Sequence, residues 1–161
     1  MGLVERLRGS MVALDAAPVI YWAEEHPRYL GLLDPVFEAI NKAELRAVAS
    51  TVALVEVLTL PLREGDEDLA QSYRDILTST PSLAMLSVTP EIAEIAAELR
   101  AKHSLKTPDA IHLATARHAG AAFFLTNDDR LPALPGLEVV VLEEVAAQQA
   151  DVEGDEPSPQ V

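Results

Sequence analysis

Cysteine is absent from this sequence, which excludes disulfides, thiolate nucleophiles and cysteine-based zinc sites. Aromatic residues make up only 4% of the chain, so a folded core has to be built from aliphatic side chains. No apolar run reaches the roughly 18 residues that a membrane-spanning helix requires, and residues 1–15 lack the long apolar segment of a signal peptide. We therefore expect a cytoplasmic protein with no membrane partner.

Basic residues are also few, at 12 Lys and Arg against 26 Asp and Glu, which gives a net charge of −14. A chain of this charge is poorly suited to holding nucleic acid by bulk electrostatics. If nucleic acid is nevertheless the substrate, bound cations or locally placed basic residues have to offset the negative field.

The composition that remains is that of a globular domain, with 49% hydrophobic and 24% charged residues in a chain of 161. Strands are predicted at residues 11–15, 45–49, 83–88, 122–125 and 138–142. Helices are predicted at residues 17–25, 30–42, 51–60, 66–78, 90–102 and 107–119. Strands that alternate with helices pair in parallel, so the pattern predicts an α/β fold around one open sheet.

Both ends of the chain are expected to lie outside this domain, which spans residues 11–142. Residues 1–10 read as an N-terminal extension, and Met11, just before the first strand, is an alternative start. Residues 143–161 form an acidic, proline-containing tail, which we expect to be disordered from about Gln148 onward.

Two acidic residues follow predicted strands directly. Asp15 ends the run VALD, and Asp128 follows the run FFLTN. Because the carboxyl ends of parallel strands meet at the same edge of a sheet, these two side chains should lie close together.

Two further acidic residues occur in apolar helical segments. Glu56 lies in VALVEVLTL, where an ionised side chain is costly unless it is paired or bound to a cation, although it could also face solvent. Asp109 opens the segment TPDAIHLATA, where a carboxylate in the first helical turn complements the helix dipole. It is also a possible metal ligand.

Four converging carboxylates would repel one another unless cations or protons are bound among them. A set of oxygen ligands of this kind suits Mg²⁺ or Mn²⁺. Asp15, Glu56, Asp109 and Asp128 are therefore candidate metal ligands, although Asp15 could also simply end a strand at a turn and Asp128 could cap a helix.

These residues, in this order, resemble the PIN-domain ribonuclease family, and most closely the VapC-like toxins of bacterial toxin–antitoxin systems. The similarity covers roughly residues 12–142 and is strongest in LKTPDAIHLATARHAGAAFFLTNDDRL, residues 105–131. The segments LDAAPVIYWAE and STVALVEVL are similar to the first strand and helix of the family and to its glutamate-bearing helix. Ala17 departs from the pattern, because many members have Asn or Ser at this position.

The resemblance implies a three-layer α/β/α fold with a central, mostly parallel five-stranded sheet. It also implies an endoribonuclease that uses Mg²⁺ or Mn²⁺, with the four carboxylates as catalytic metal ligands. Thr126 and Asn127 match the motif and are expected to support the site through hydrogen bonds. A small antitoxin and a second copy of the chain are the implied protein partners, and RNA is the implied substrate.

Lys106, Arg117 and Arg130 lie near the motif in sequence and are possible phosphate contacts, although each could equally be a solvated surface charge. His112, three residues after Asp109, is expected to be a packed or hydrogen-bonded helix histidine that could touch the site. Two other hypotheses remain open. One is a catalytically silent PIN-fold interaction module, and the other is a phospho-acceptor receiver domain.

Overall fold

A five-stranded sheet forms the centre of the protein, seen in a computed structural model that describes residues 2–154. Its strands are β1 (Met11–Leu14), β2 (Arg46–Ser50), β3 (Leu83–Leu86), β4 (Phe123–Thr126) and β5 (Glu138–Val141). The spatial order is β3-β2-β1-β4-β5, and every neighbouring pair is parallel. The predicted α/β fold is confirmed. The receiver hypothesis is wrong, because a receiver sheet has the order 2-1-3-4-5.

Helices connect the strands and flank them on both sides. They are α1 (Leu3–Leu7), α2 (Ala16–Ala23), α3 (Leu30–Asn41), α4 (Val52–Glu64), α5 (Glu67–Ser79), α6 (Pro90–His103), α7 (Thr107–Ala119) and α8 (Leu142–Gly154). Within residues 2–154, no helix combines the length and the apolar character needed to cross a bilayer.

The side chains of each strand alternate between two hydrophobic cores. On β1, Val12 and Leu14 face a core that is shared with α1 to α5 and α8. Ala13 faces the opposite core, which α6 and α7 complete with buried aliphatic residues such as Ile92 and Leu113. Two cores separated by one sheet confirm the predicted three-layer α/β/α arrangement.

Two successive helices, α6 and α7, begin with similar sequences. Thr89 caps α6 by accepting a hydrogen bond from the backbone N–H of Ile92 at 3.3 Å, and Pro90 follows it. Helix α7 begins one residue earlier relative to its proline: Thr107 is its first residue, no side chain caps it, and Pro108 lies second, where its fixed φ and missing N–H cost nothing. Helix α7 ends at Gly120, whose φ of 73° lies in the left-handed region that glycine adopts without strain.

The predicted end of α4 at Pro61 is wrong, because the helix continues to Glu64. A proline in the last turn removes only one backbone hydrogen bond, and the following residues still bond to earlier carbonyls. The helix ends instead at Gly65, which has a left-handed φ of 72° and donates its backbone N–H to the carbonyl of Leu62.

Helices lie near both ends of the part of the chain that the structure describes. Residues 3–7 form α1, and its apolar side chains Leu3, Val4 and Leu7 are buried in the main core. The last strand ends at Val141, and Leu142 begins α8, which continues through the region that was expected to be disordered from Gln148 as far as Gly154. The remainder of the predicted disordered tail, residues 155–161, lies outside the described residues.

Leu7→Ala tests whether α1 is part of the packed body. Leu7 is fully buried, so we expect the free energy of unfolding to fall by roughly 2–5 kcal/mol, as for other Leu→Ala changes in cores. The measurement is urea denaturation, and Glu5→Ala, an exposed position on the same helix, is the control. Equal stability of the two variants would contradict the packing of α1.

Candidate metal centre

Asp15 and Asp128 lie at the carboxyl ends of the two neighbouring strands β1 and β4, where Thr126 connects them. The Thr126 hydroxyl donates to Asp15 Oδ2 at 2.7 Å and accepts from the backbone N–H of Asp128 at 3.1 Å. The other oxygen of Asp15, Oδ1, accepts from the backbone N–H of Ala16 at 2.8 Å, where Asp15 caps α2. Thr126 is fully buried, so these bonds fix the positions of both acidic residues.

Glu56 reaches the same place from α4 and meets His112 of α7. The carboxylate of Glu56 is hydrogen-bonded to His112 Nε2, which also lies 3.6 Å from Asp15 Oδ1. One ligand atom from each of Asp15, Glu56 and His112 lies within 4.8 Å of the others. This side of α4 is partly exposed, because Val55 is 66% exposed and the Glu56 side chain 35% exposed.

Asp109 is in the first turn of α7 and is half-buried. It lines a cavity together with Asp128. Burial raises the pKa of Asp109, and the negative charges of Asp15, Asp128 and Glu56 raise it further, while the His112 ring opposes them. Among the predicted ligands, Asp15 and Glu56 lie within metal-binding distance of each other, and Asp109 and Asp128 remain predicted ligands beside them.

His112 is 2% exposed, on the same face of α7 as Asp109. Burial lowers the pKa of His112, but its hydrogen bond to Glu56 and the nearby charges of Asp15, Glu56 and Asp109 outweigh burial, so the net direction is upward. The other ring nitrogen, Nδ1, is buried and has no hydrogen-bond partner among the described residues.

Arg130 neutralises one of the carboxylates. Its guanidinium lies 3.1 Å and 3.3 Å from the two oxygens of Asp128, and its backbone N–H donates to the same side chain at 2.9 Å. This pairing lowers the pKa of Asp128, and the charge of Lys106 contributes in the same direction. The Arg130 side chain is 78% exposed, so it is able to exchange Asp128 for another anion.

The other two predicted phosphate contacts have different positions. Lys106 precedes α7 and lines a cavity of about 180 Å³ together with Asp109, Asp128 and Arg130. Arg117 is in the last turn of the same helix and lines a separate cavity near the C-terminal end of α6. The structure brings Lys106 and Arg130 to the carboxylates but leaves Arg117 at the far end of α7.

Asn127 is bound away from the carboxylates. Its amide nitrogen donates to the hydroxyls of Tyr21 and Tyr29 at 3.2 Å each, and its Oδ1 accepts from the backbone N–H of Glu143 at 2.9 Å. Glu143 also accepts from Tyr29 and is paired with Arg28, which together lower its pKa to about 2. Asn127 thus connects the end of β4 to the start of α8 and to the segment between α2 and α3.

Tyr21 completes the wall of the open cleft above Asp15, together with Ala17, Asn127 and the segment 128–130. Its ring stacks on Tyr29 with centroids 4.8 Å apart. Trp22, which follows Tyr21 in the sequence, points elsewhere: it stacks on Phe37 with ring centroids 4.2 Å apart and donates to Asp34. Tyr21 therefore lines the cleft, whereas Trp22 packs α2 against α3.

The donor set fits a divalent metal ion. The carboxylates come from two helices and two strand ends, and oxygens of Asp15 and Glu56 lie within 4.8 Å of each other. Burial and the negative charges of Asp15, Asp128 and Glu56 raise the pKa of Asp109. The only cation paired with any of them among residues 2–154, apart from His112, is the exposed Arg130. Oxygen ligands in an open cleft suit Mg²⁺ or Mn²⁺.

The fold and this cleft define an α/β protein with an acidic site at the carboxyl edge of its sheet. The sequence model of the PIN domain matches residues 12–137, which is most of the chain. The chain therefore belongs to the PIN domain family. Among curated proteins, no sequence matches this chain.

Solved toxin–antitoxin structures have a similar fold. VapBC2 from Rickettsia felis, bound to a promoter DNA fragment, aligns with a TM-score of 0.64 and 18% identity over 81% of this chain and 98% of that chain. A toxin–antitoxin complex from Klebsiella pneumoniae aligns with a TM-score of 0.61 and 22% identity, covering 81% and 97%. VapC20 from Mycobacterium tuberculosis, a sarcin–ricin loop cleaving toxin, gives 0.58 and 18%, covering 70% and 86%. At these identities the likeness concerns the fold.

The contacts of two residues in or near the site were not predicted from the sequence. His112 was expected to be a packed helix histidine, and it is indeed buried and hydrogen-bonded, but its partner is Glu56. The spacing of three residues after Asp109 was the available signal. Glu143 was assigned to the acidic tail. The acidic pair Glu143 and Glu144 directly after a strand is typical of a helical first turn, and it could have been recognised as such.

Asp109→Asn should stabilise the metal-free protein at neutral pH. A raised folded-state pKa means that the ionised carboxylate destabilises the fold. This cost is absent below the ordinary pKa near 3.8 and appears as the pH rises through the raised folded pKa. The variant removes this cost, so its advantage in chemical denaturation with EDTA should grow from pH 3 to pH 7.

Glu91→Gln is the matched control, because Glu91 is in the first turn of α6 after the similar sequence Thr-Pro. Its pKa is lowered by hydrogen bonds from its own backbone N–H and from Thr89, so the charged form stabilises the fold. We expect this variant to be less stable than the wild type at pH 7. A destabilising effect of Asp109→Asn would contradict the repulsion inferred for the cleft.

Proposed function

We propose that this protein is a Mg²⁺- or Mn²⁺-dependent endoribonuclease and the toxin component of a toxin–antitoxin system. The single observation that carries the proposal is the acidic cluster at the carboxyl edge of the sheet, where ligand atoms of Asp15, Glu56 and His112 lie within 4.8 Å of one another. Asp128 is joined to Asp15 through Thr126, and Asp109 lines a cavity with Asp128. The family supports a nuclease. The ribonuclease assignment is supported further by a neighbour in fold that is a sarcin–ricin loop cleaving toxin.

In this proposal the four carboxylates hold the divalent ion, directly or through water. When bound, the ion would lower the pKa of an attacking water molecule and stabilise negative charge on the phosphate and on the leaving oxygen. One of the carboxylates accepts a proton from the water. The Thr126 hydroxyl is hydrogen-bonded to both the Asp15 carboxylate and the backbone of Asp128, so these two residues are positioned before any substrate arrives.

Lys106 and Arg130 bind the RNA backbone on the side of the cleft next to Asp109 and Asp128. Arg130 is the more informative of the two, because in the free protein it is paired with Asp128. An incoming phosphate and an ion on Asp128 would each favour releasing this pair, and the exposed guanidinium would then be free to contact the phosphate.

The protein partners follow from the charge and surface of the chain. A net charge of −14 favours a basic partner, and a small antitoxin whose arginine-bearing segment enters the acidic cleft meets this requirement. Toxin–antitoxin complexes among the structures of similar fold support such a partner. A second copy of the chain is proposed as well, because α4 exposes the large apolar side chains Val55, Leu60 and Leu62.

Substitution of the metal ligands tests the activity. Asp15→Asn and Asp109→Asn should each reduce the rate of cleavage of single-stranded RNA in Mg²⁺ or Mn²⁺ by more than about 100-fold. Loss of a residue that only supports a metal ligand costs up to about 100-fold, and loss of a ligand itself should cost at least as much. The measurement is the rate of product formation from labelled RNA, with a DNA strand of the same sequence in parallel. Glu91→Gln, far from the cleft, should keep the wild-type rate.

Undiminished cleavage by both site variants would show that these carboxylates do not form the active site. Absence of cleavage by the wild-type protein, with weak or no Mn²⁺ binding, would favour the silent interaction module instead. Cleavage of the DNA strand at the same rate would contradict the ribonuclease assignment.

The salt dependence of RNA binding tests the two phosphate contacts. Arg130→Gln and Lys106→Gln, each made in the Asp15→Asn background, should weaken binding and reduce the slope of log K against log salt concentration by roughly 0.7 per lost contact. Arg117→Gln is the matched control, because Arg117 is on the same helix as Asp109 but at its other end. A slope that falls equally in all three variants would contradict a specific role for Lys106 and Arg130.

A further inference from the structure

We propose that His112 is a positioning residue, which donates a hydrogen bond from Nε2 to Glu56 and holds that carboxylate beside Asp15 for the metal ion. The inference rests on the proposed metal-dependent function and deepens it. It concerns how one ligand is held, and it assigns His112 no bond to the metal itself.

Glu56 is the ligand that most needs to be held. Its side chain is long, 35% exposed and attached to α4, where neighbouring positions such as Val55 and Leu60 face solvent. Asp15 is fixed by Thr126 and by the backbone of Ala16, whereas the only hydrogen-bond partner described for Glu56 is His112. Without that bond, nothing else in residues 2–154 restrains Glu56 toward the cleft.

His112 is well suited to hold another side chain, because it is buried. The residue is 2% exposed, and the centroid of its ring lies 6.4 Å from that of Phe124 on the neighbouring strand β4. It lies in the middle of α7, where Leu113 and Ala116 are buried as well. A buried ring on a helix has few alternative positions, so its Nε2 is a well-placed donor at the cleft.

The bond to Glu56 indicates that His112 acts as a donor. An ionised carboxylate has no hydrogen to give and can only accept, so the hydrogen in this bond is on His112 Nε2. This holds for the neutral ring with its hydrogen on Nε2 and for the charged ring alike. An Nε2 that carries a hydrogen has no lone pair for a metal ion, so His112 holds Glu56 and does not bind the ion itself.

The experiment compares metal binding by the wild type, His112→Leu, His112→Gln, Glu56→Gln and the double variant His112→Leu/Glu56→Gln. The dissociation constant for Mn²⁺ is measured from the electron paramagnetic resonance signal of the free ion. The dissociation constant for Mg²⁺ is measured by its competition with Mn²⁺. Thr115→Val is the matched control, because Thr115 is equally buried on α7 but bonds only to the backbone of its own helix. Urea denaturation of each variant reports on folding separately.

We expect His112→Leu to weaken Mn²⁺ and Mg²⁺ binding by the same factor, about 10- to 100-fold. His112→Gln should recover most of the loss, because its amide places a donor N–H near the position of Nε2. In the Glu56→Gln background, His112→Leu should have little further effect, since a residue that acts through another is not additive with it. Thr115→Val should bind both ions like the wild type.

Three results would overturn the inference while leaving the proposed function intact. They are wild-type affinity in folded His112→Leu, a loss confined to Mn²⁺, and coupling of bound Mn²⁺ to an imidazole nitrogen in pulsed electron paramagnetic resonance. The second and third would make His112 a ligand. Failure of the wild-type protein to bind either ion would overturn the proposed function, and this inference with it.

Discussion

Electrostatic repulsion among four carboxylates is the constraint on which the rest of this site depends. Asp15 and Glu56 lie within metal-binding distance of each other, Asp128 is joined to Asp15 through Thr126, and burial together with these negative charges raises the pKa of Asp109. Like charges at such distances push their side chains apart and favour protonation. A protein that keeps them together therefore has to hold each one by other contacts, and the polar groups around the cleft do this.

The restraints differ from one carboxylate to the next. Asp15 is held by a buried threonine hydroxyl and a helix N-terminal N–H, which are rigid and neutral. Asp128 is paired with the exposed Arg130, a contact that can be exchanged. Glu56 has only His112. The site therefore combines a fixed carboxylate at the end of β1 with more adaptable ones after β4 and on α4, as expected for a cleft that admits an ion and a polymer.

The parts of this site that could be predicted from sequence are those that follow from chain direction. Asp15 and Asp128 follow apolar runs, and parallel pairing alone brings them to one edge of the sheet. Asp109 was predictable because Thr107 and Pro108 begin a helix that accepts a carboxylate. The contact between Glu56 and His112 was not predictable, because it depends on how α4 packs across α7. The roles assigned to Thr126 and Asn127 stay predictions, although the former now has a direct bond to Asp15 and the latter does not.

Helix α8 illustrates why composition was misleading at the C-terminal end. An acidic segment with proline nearby is typical of disorder, but Leu142 and Val145 bury apolar surface against the core and hold its first turn in place. That turn also presents the N–H of Glu143 to Asn127, one residue before Asp128. One acidic side chain of this segment, Glu143, therefore makes specific contacts with the rest of the fold. Glu143 pairs with Arg28 and accepts a hydrogen bond from Tyr29. These contacts hold Glu143 in place, and its backbone N–H is bonded to Asn127, the residue before the proposed metal ligand Asp128. In this way a residue outside the recognisable motif helps to set the geometry inside it.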